Sequence, residues 1–207
     1  TEDFSFPPDV IVKPSTAEEI SKILILANDN LIPVIPRGGG TGLSGGALPV
    51  LGGICISMER FNRILEIDEN NFQAIVEPGV ITQVFQEELE LKGLFYPVDP
   101  ASRGSCFLGG NIAECSGGPR AAKYGTTKDY VLGLQFVTPT GKIIDAGART
   151  IKNVTGYNLS QLIVGSEGTL GIVTKIIFKI LSLSKFKKVL LIAFNSVENC
   201  ISSVAEF

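Results

Sequence analysis

Glycine in this sequence is concentrated rather than scattered, and that concentration restricts the fold more than any other feature. The clusters fall at 38–46, 52–53, 109–110, 117–118 and 165–171. Backbone of this kind is needed where a chain must approach something closely. The first cluster reads Pro36-Arg37-Gly38-Gly39-Gly40-Thr41-Gly42-Leu43-Ser44-Gly45-Gly46. Residues free to adopt either sign of φ can turn successive amide N–H groups inward and form a nest for an anion. Thr41 and Ser44 add hydroxyl donors, and Arg37 adds positive charge. A phosphate or pyrophosphate is the expected occupant. Apolar flanks on both sides argue for a buried, shaped loop rather than a floating surface one.

Two phosphate motifs compete for this loop. Gly40-x-Gly42-x-x-Gly45 matches the letters of the dinucleotide fingerprint, with Glu59 tolerably placed for a ribose contact. That fingerprint requires a helix opening at the loop. The chain continues instead as Gly46-Ala47-Leu48-Pro49-Val50-Leu51-Gly52-Gly53, which leaves no room for one. No Gly-Lys-Ser/Thr follows, so the nucleoside-triphosphate P-loop is excluded as well.

Local periodicity predicts the surrounding elements. A short strand at 9–13 precedes Thr16 and Glu19, a capping-box pair. Ile20, Ile23, Leu24, Ala27 and Leu31 then recur at helical spacing, predicting a helix over about 17–29. Strands follow at 32–35 and 53–57, and strands joined by a crossover helix pair in parallel. Segments 63–68 and 72–77 read as a hairpin. Thr82 is the expected cap of a helix over 83–92 that stops at Gly93. A second hairpin is expected at 131–138 and 142–146, a short helix runs from Asn158 to Ile163, and a long strand spans 171–181. The expected fold is α+β: a small parallel βαβ lobe packed on a larger, mainly antiparallel lobe. Beyond 185, an apolar strand at 189–194 and a helix from Ser196 are expected. Val197, Ile201, Val204 and Phe207 would line one face of that helix.

The second glycine region, 97–118, reads Pro-Val-Asp-Pro-Ala-Ser-Arg-Gly-Ser-Cys-Phe-Leu-Gly-Gly-Asn-Ile-Ala-Glu-Cys-Ser-Gly-Gly. Asn111 and Ser116 offer side-chain donors between its glycine pairs. Two separate glycine loops suit a long, two-ended cofactor better than a lone phosphate. The motifs at 36–46, 99–102, 109–118, 123–127, 153–157 and 165–174, in this order, resemble the FAD-binding domain of the vanillyl-alcohol oxidase and para-cresol methylhydroxylase (PCMH-type) superfamily. Within it they are most similar to the branch of the glycolate oxidase FAD subunit, D-lactate dehydrogenase and D-2-hydroxyglutarate dehydrogenase. The resemblance covers about 5–184.

That resemblance implies non-covalent FAD held between the two lobes. It implies that Arg37, Gly38, Gly39, Gly40, Thr41, Gly42 and Ser44 wrap the pyrophosphate. Glu77, Pro78, Gly79 and Val80 would lie near the adenine end. Asp99, Ser102, Cys106, Gly109 and Gly110 would line the centre, continued by Ala113, Ser116, Gly117 and Gly118. Gly168, Ile172 and Val173 would complete the site. Cys115-Ser116 departs from the Asn-Ala common in relatives, and Cys115 is read as an inert thiol. Arg103, Arg120, Lys123 and Tyr124, near the second region, are read as structural or cofactor-adjacent. The implied domains are 1–62 and 63–184 for the two FAD-binding lobes, with 185–207 opening a substrate or cap domain.

The resemblance further implies oxidation of a 2-hydroxy acid to a 2-oxo acid, with electrons passed to a quinone, a protein partner or another acceptor. A substrate-domain or electron-transfer partner subunit fits this reading. A stand-alone flavin-binding module without its own substrate remains open beside it. UDP-sugar reduction, as in a related cell-wall reductase, lacks its acid and substrate-binding groups here.

Composition sets the outer limits. With 18 Lys and Arg against 21 Asp and Glu, the charge of −3 offers no reason to expect nucleic acid as a partner. The apolar runs are too short to cross a bilayer, and no secretory leader pattern follows Thr1. Four cysteines without a C-x-x-C pair read as buried thiols of a cytoplasmic protein. Histidine is absent, so no His-dependent triad, His metal ligand or histidyl flavin tether is available within the chain. No catalytic acid or base is assigned, and no metal is expected.

Overall fold

The computed structural model describes residues 5–206. Its first sheet is parallel. Strands β1 (Val10–Val12), β2 (Val34–Arg37) and β3 (Ile54–Ser57) lie in the order β1-β3-β2. Val10 and Val34 both register with Ile54, from opposite sides of β3. Helix α1 (Ala17–Asp29) makes the crossover. Thr16 Oγ1 accepts the Glu19 amide at 3.2 Å, while Glu19 reaches back to the amide of Ser15 at 2.6 Å. The expected reciprocal cap is thus closed one residue upstream of Thr16. Helix α1 buries Ile20, Leu24 and Ala27 against Ile54, Ile56, Met58 and Phe61. Val137 and Ile172 join this cluster from the second sheet, so burial of apolar surface fixes the two lobes to each other.

The second sheet is antiparallel throughout. It contains β4 (Ile64–Asp68), β5 (Gln73–Val76), β7 (Val131–Val137), β8 (Ile143–Gly147) and β9 (Ile172–Lys179), in the order β4-β5-β9-β7-β8. Helices α2 (Thr82–Glu90) and α3 (Leu108–Glu114) contribute Phe85, Leu89, Leu108 and Ile112 to its core. Tyr96 packs within this core, with ring centroids 4.9 Å from Phe178 and 5.2 Å from Phe85. A separate two-stranded antiparallel pair joins β6 (Leu94–Phe95) to β10 (Leu181–Ser182). Two short helices, α4 (Ala121–Tyr124) and α5 (Leu159–Ile163), complete the lobe. The architecture is α+β, as read from the sequence.

Several local expectations are corrected. Thr82 does not cap α2: the cap position is Ile81, without a side-chain bond, and Thr82 is buried inside the first turn. Its hydroxyl accepts the Asn111 amide at 2.6 Å instead. Helix α2 ends at Glu90 rather than 92, and Gly93 (φ +69°) turns the chain into β6. The expected strand at 189–194 does not form. Val189, Leu190 and Leu191 are exposed and no strand pairs with them; β propensity without a partner edge supplies no hydrogen bonds. Helix α6 (Val197–Ser203) does form, and Ser196 Oγ caps the Asn199 amide at 3.2 Å. Its Val197, Ile201 and Val204 remain exposed. Phe207 lies outside the described residues. No helix among the described residues is long and apolar enough to cross a membrane.

Candidate cofactor site

A cavity of about 390 Å³ opens between the lobes, within the range of small-molecule and cofactor sites. Its first wall is the loop after β2. Gly38 backs onto Phe107, whose side chain lies 3.6 Å from where a Cβ would sit. A Cβ at Gly39 would collide with the Ser105 carbonyl oxygen, so loop and second lobe meet backbone to backbone. At Gly40 (φ +68°) the Arg37 guanidinium folds back to within 2.6 Å of the Cβ position. Arg37, Gly38, Gly39, Gly40, Thr41, Gly42 and Ser44 all line the cavity. No helix follows Gly46 before β3, as Pro49 and the 52–53 glycines require.

The second wall corrects the expectation of another glycine loop. Gly109 and Gly110 lie in helix α3, not in a loop. Two bonds seat the helix start on the 78–80 turn: Leu108 N–H donates to Val80 O at 2.9 Å, and Gly109 N–H to Pro78 O at 2.7 Å. A Cβ at Gly109 would stand 2.6 Å from the Pro78 Cβ, whereas one at Gly110 would meet nothing within 4 Å. One glycine therefore serves packing, and its neighbour leaves space open on the cavity side. Ala113 and Ser116 continue this wall, and Ser102 and Cys106 border it. Asn111 lines the cavity, but its amide donates to Thr82 rather than outward. Cys115 ends α3 in a left-handed conformation (φ 49°), with its sulfur 3.5 Å from Thr126 Oγ1.

The third wall is the turn at 165–169 with the start of β9. Gly168, Ile172 and Val173 line the cavity. Gly168 (φ +79°) lies so close to Pro36 that a Cβ would be 2.7 Å from its Cγ. Gly165 N–H donates to Ile112 O at 2.9 Å, and Glu167 N–H to Ala113 O at 3.0 Å, bonding this turn to α3.

Gly79, Val80, Asp99, Gly117 and Gly118 do not line the cavity. A Cβ at Gly79 would lie 2.7 Å from Phe61 O, and Val80 is buried. Glu77 is also buried and pairs with Arg63 at 2.7 Å. Asp99 pairs with Arg120 Nε at 3.2 Å, and a Cβ at Gly118 would be 2.5 Å from Asp99 Oδ1. The Arg120 guanidinium also covers the Phe95 ring at 5.2 Å, so this group braces the 116–120 turn. Lys123 lies over the Tyr124 ring at 5.3 Å, and Arg103 N–H closes a turn onto Pro100 O.

Sequence reasoning missed two lining carboxylates. Ser44 Oγ donates to Glu114, 2.9 Å from Oε1 and 3.1 Å from Oε2. Glu167 Oε2 stands 3.2 Å from the Cβ position of Gly46. No local pattern signals either contact, since Ser44 and Glu114 are 70 residues apart.

The thiols also differ from expectation. All four are free, but only Cys55 and Cys106 are buried, while Cys115 is half-buried and Cys200 exposed. Burial pushes the Cys55 thiol above its ordinary pKa, against the smaller opposing pull of Arg37. Among the described residues, no group of three or more His, Cys, Asp or Glu side chains could hold a metal ion.

Comparison with known proteins points the same way. The family described as "FAD binding domain" matches residues 8–147. Glycolate oxidase subunit GlcD of Bacillus subtilis is 45% identical over 206 residues, covering 100% of this chain and 44% of that protein. D-lactate dehydrogenase of Archaeoglobus fulgidus is 45% identical, covering 95% of this chain and 44% of that protein. The chain thus spans less than half the length of these curated relatives. Among solved structures, an alkyldihydroxyacetonephosphate synthase superposes with a TM-score of 0.78 at 32% identity, over 88% of this chain and 33% of that one.

Proposed function

This chain belongs to the FAD-binding domain family, and from that premise we propose that it is the cofactor half of a flavin-dependent 2-hydroxyacid oxidoreductase. One observation carries the reading: three segments distant in sequence, 37–46, 102–116 and 166–173, converge on one cavity between the lobes. The residues present fit FAD. Glycine backbone forms much of the lining, and the open space at Gly110 would be filled by a side chain.

In this reading Arg37 through Gly42, with Ser44, hold the diphosphate by backbone N–H groups, the Thr41 hydroxyl and one guanidinium. Ser102, Cys106, Gly109, Gly110, Ala113 and Ser116 form the wall along which the cofactor lies. Gly168, Ile172 and Val173 close it from the β9 side. Gly79, Val80, Asp99, Gly117 and Gly118 act through packing, by fixing these walls. FAD, when bound, supplies a hydride acceptor, so a 2-hydroxy acid could leave as the 2-oxo acid. The protein orients the cofactor and excludes water from it.

A clamp for the substrate carboxylate and a base for the hydroxyl proton are also required. Polypeptide beyond the two lobes, or a partner subunit, supplies them in this proposal. The exposed apolar side chains of 186–204 support it, because they are the surface such a domain would cover. Lobes bounded at 62/63 and 184/185, and a cytoplasmic setting for the free thiols, complete the proposal.

The test is direct. Purified protein should be yellow, or should quench the fluorescence of added FAD, and the bound flavin should bleach anaerobically with glycolate or D-lactate once the substrate-binding part is present. A colourless protein indifferent to FAD would overturn the reading. Binding without bleaching by either acid would leave a flavin module with no such substrate.

A further inference from the structure

The charges lining the cavity do not balance for a diphosphate ligand. Arg37 is the only cation among the described lining residues, and Glu114 and Glu167 oppose it. Glu114 stands against the glycine loop itself: its Oε1 lies 3.1 Å from the Cβ position of Gly42, and both its oxygens face Ser44 Oγ. A serine hydroxyl has one proton to donate. While Ser44 donates to Glu114, it cannot donate to a phosphate oxygen.

Helix stability does not account for this carboxylate. Glu114 is the last residue of α3, where unpaired carbonyls already carry partial negative charge. Glu167 adds a second negative group beside Gly46, from a backbone with φ 52°. A non-glycine residue in that region is strained. The two carboxylate-bearing segments are joined by the Glu167 N–H to Ala113 O bond, so they act on the loop together.

We infer that Glu114 is a specificity-determining residue of the cofactor loop, favouring the singly charged phosphates of a doubly esterified diphosphate over a dianionic terminal phosphate. The inference rests on the reading that loop 37–46 holds the diphosphate of FAD. Repulsion from a fixed carboxylate grows with the charge on the neighbouring phosphate. Each phosphate of FAD is substituted twice, by one ester and one anhydride bond, and carries one charge. The phosphomonoester of FMN and the anhydride-linked terminal phosphate of ADP each concentrate nearly two charges on one phosphorus. Selection then comes from a repulsive element rather than an added contact.

The experiment measures binding of FAD, FMN and ADP to the 207-residue protein freed of flavin, by fluorescence quenching for the flavins and by displacement of FAD for ADP. Glu114→Gln preserves shape and an acceptor for Ser44 while removing the charge. It should tighten FMN and ADP about two- to fivefold, the range for an exposed charge pair, and FAD clearly less. Glu114→Ala should give the same ranking, and thermal melts of both variants report folding separately. Equal shifts for all three ligands, or none, overturn the inference while leaving the FAD reading intact. Selective loss of FAD in Glu114→Gln also overturns it, by making Glu114 an acceptor for cofactor hydroxyls. A wild-type protein that binds none of the three overturns the FAD reading, and this inference with it.

Discussion

Gly109 and Gly110 are adjacent in one helix, yet adding a single methyl group to each should change stability in opposite directions. In Gly110→Ala the new Cβ meets nothing within 4 Å. The backbone is already helical, so alanine gains its helical preference over glycine, about 0.5–1 kcal/mol. For a chain of this length that is a rise in Tm of roughly 1–4 °C. The same methyl enters the lining of the cavity. Overpacking by one methyl group costs about 1–3 kcal/mol, which weakens FAD binding by roughly 5- to 150-fold. In Gly109→Ala the methyl instead lands 2.6 Å from the Pro78 Cβ and 3.1 Å from Pro78 O. The bond from Gly109 N–H to Pro78 O, 2.7 Å long, holds the two backbones at that separation. Overpacking there should destabilise the fold by about 1–3 kcal/mol. Thermal melts of the flavin-free variants and FAD titration by fluorescence quenching read both quantities. A Gly110→Ala protein that melts lower, or binds FAD as the wild type does, would refute the division between packing and cavity glycines.

Other outcomes follow from the same structure. Thr82→Val should destabilise by about 1–3 kcal/mol, because the buried Asn111 amide loses its acceptor 2.6 Å away; denaturant unfolding should show part of this recovered when Asn111→Leu is added. At pH 8 a thiol reagent should modify exposed Cys200 first. Cys55, buried and raised in pKa, has little thiolate below its shifted pKa and should label only on unfolding, as peptide mass analysis would reveal. Gly53→Ala should destabilise by at least about 1–3 kcal/mol: φ is +80° there and the Cβ would run into the Pro33 carbonyl. A Tm equal to that of the wild type would contradict this.

The elements that were legible in the sequence are those whose signals are local. The spacing of Ile20, Leu24 and Ala27 set α1, and Thr16 with Glu19 marked its start, with only the reciprocal bond displaced to Ser15. The hairpin strands β4–β5 and β7–β8 pair much as alternation and turn residues predict. Apolar content alone misled at 189–194, because a strand requires a partner that the local sequence does not carry. Thr82 misled for the opposite reason. It has the chemistry of a cap, but Asn111 and Cys106 lie against it in the folded core, and a buried hydroxyl bonds to its tertiary neighbours.

For the cofactor site, the sequence by itself determined that Gly38–Gly42, with the hydroxyls of Thr41 and Ser44, forms a glycine-rich loop with no helix behind it. That conclusion needs only the freedom of glycine and the obstruction at Pro49. Tertiary structure decided what faces the loop. It set the start of α3 on the 78–80 turn, turned Gly109 toward Pro78 while leaving Gly110 open, and left Gly79, Asp99 and Gly118 out of the cavity lining. It also brought Glu114 across 70 residues to Ser44. The physical reason is range: conformational preference acts within a few residues, whereas close packing and the pairing of charges depend on neighbours that only the folded chain brings together.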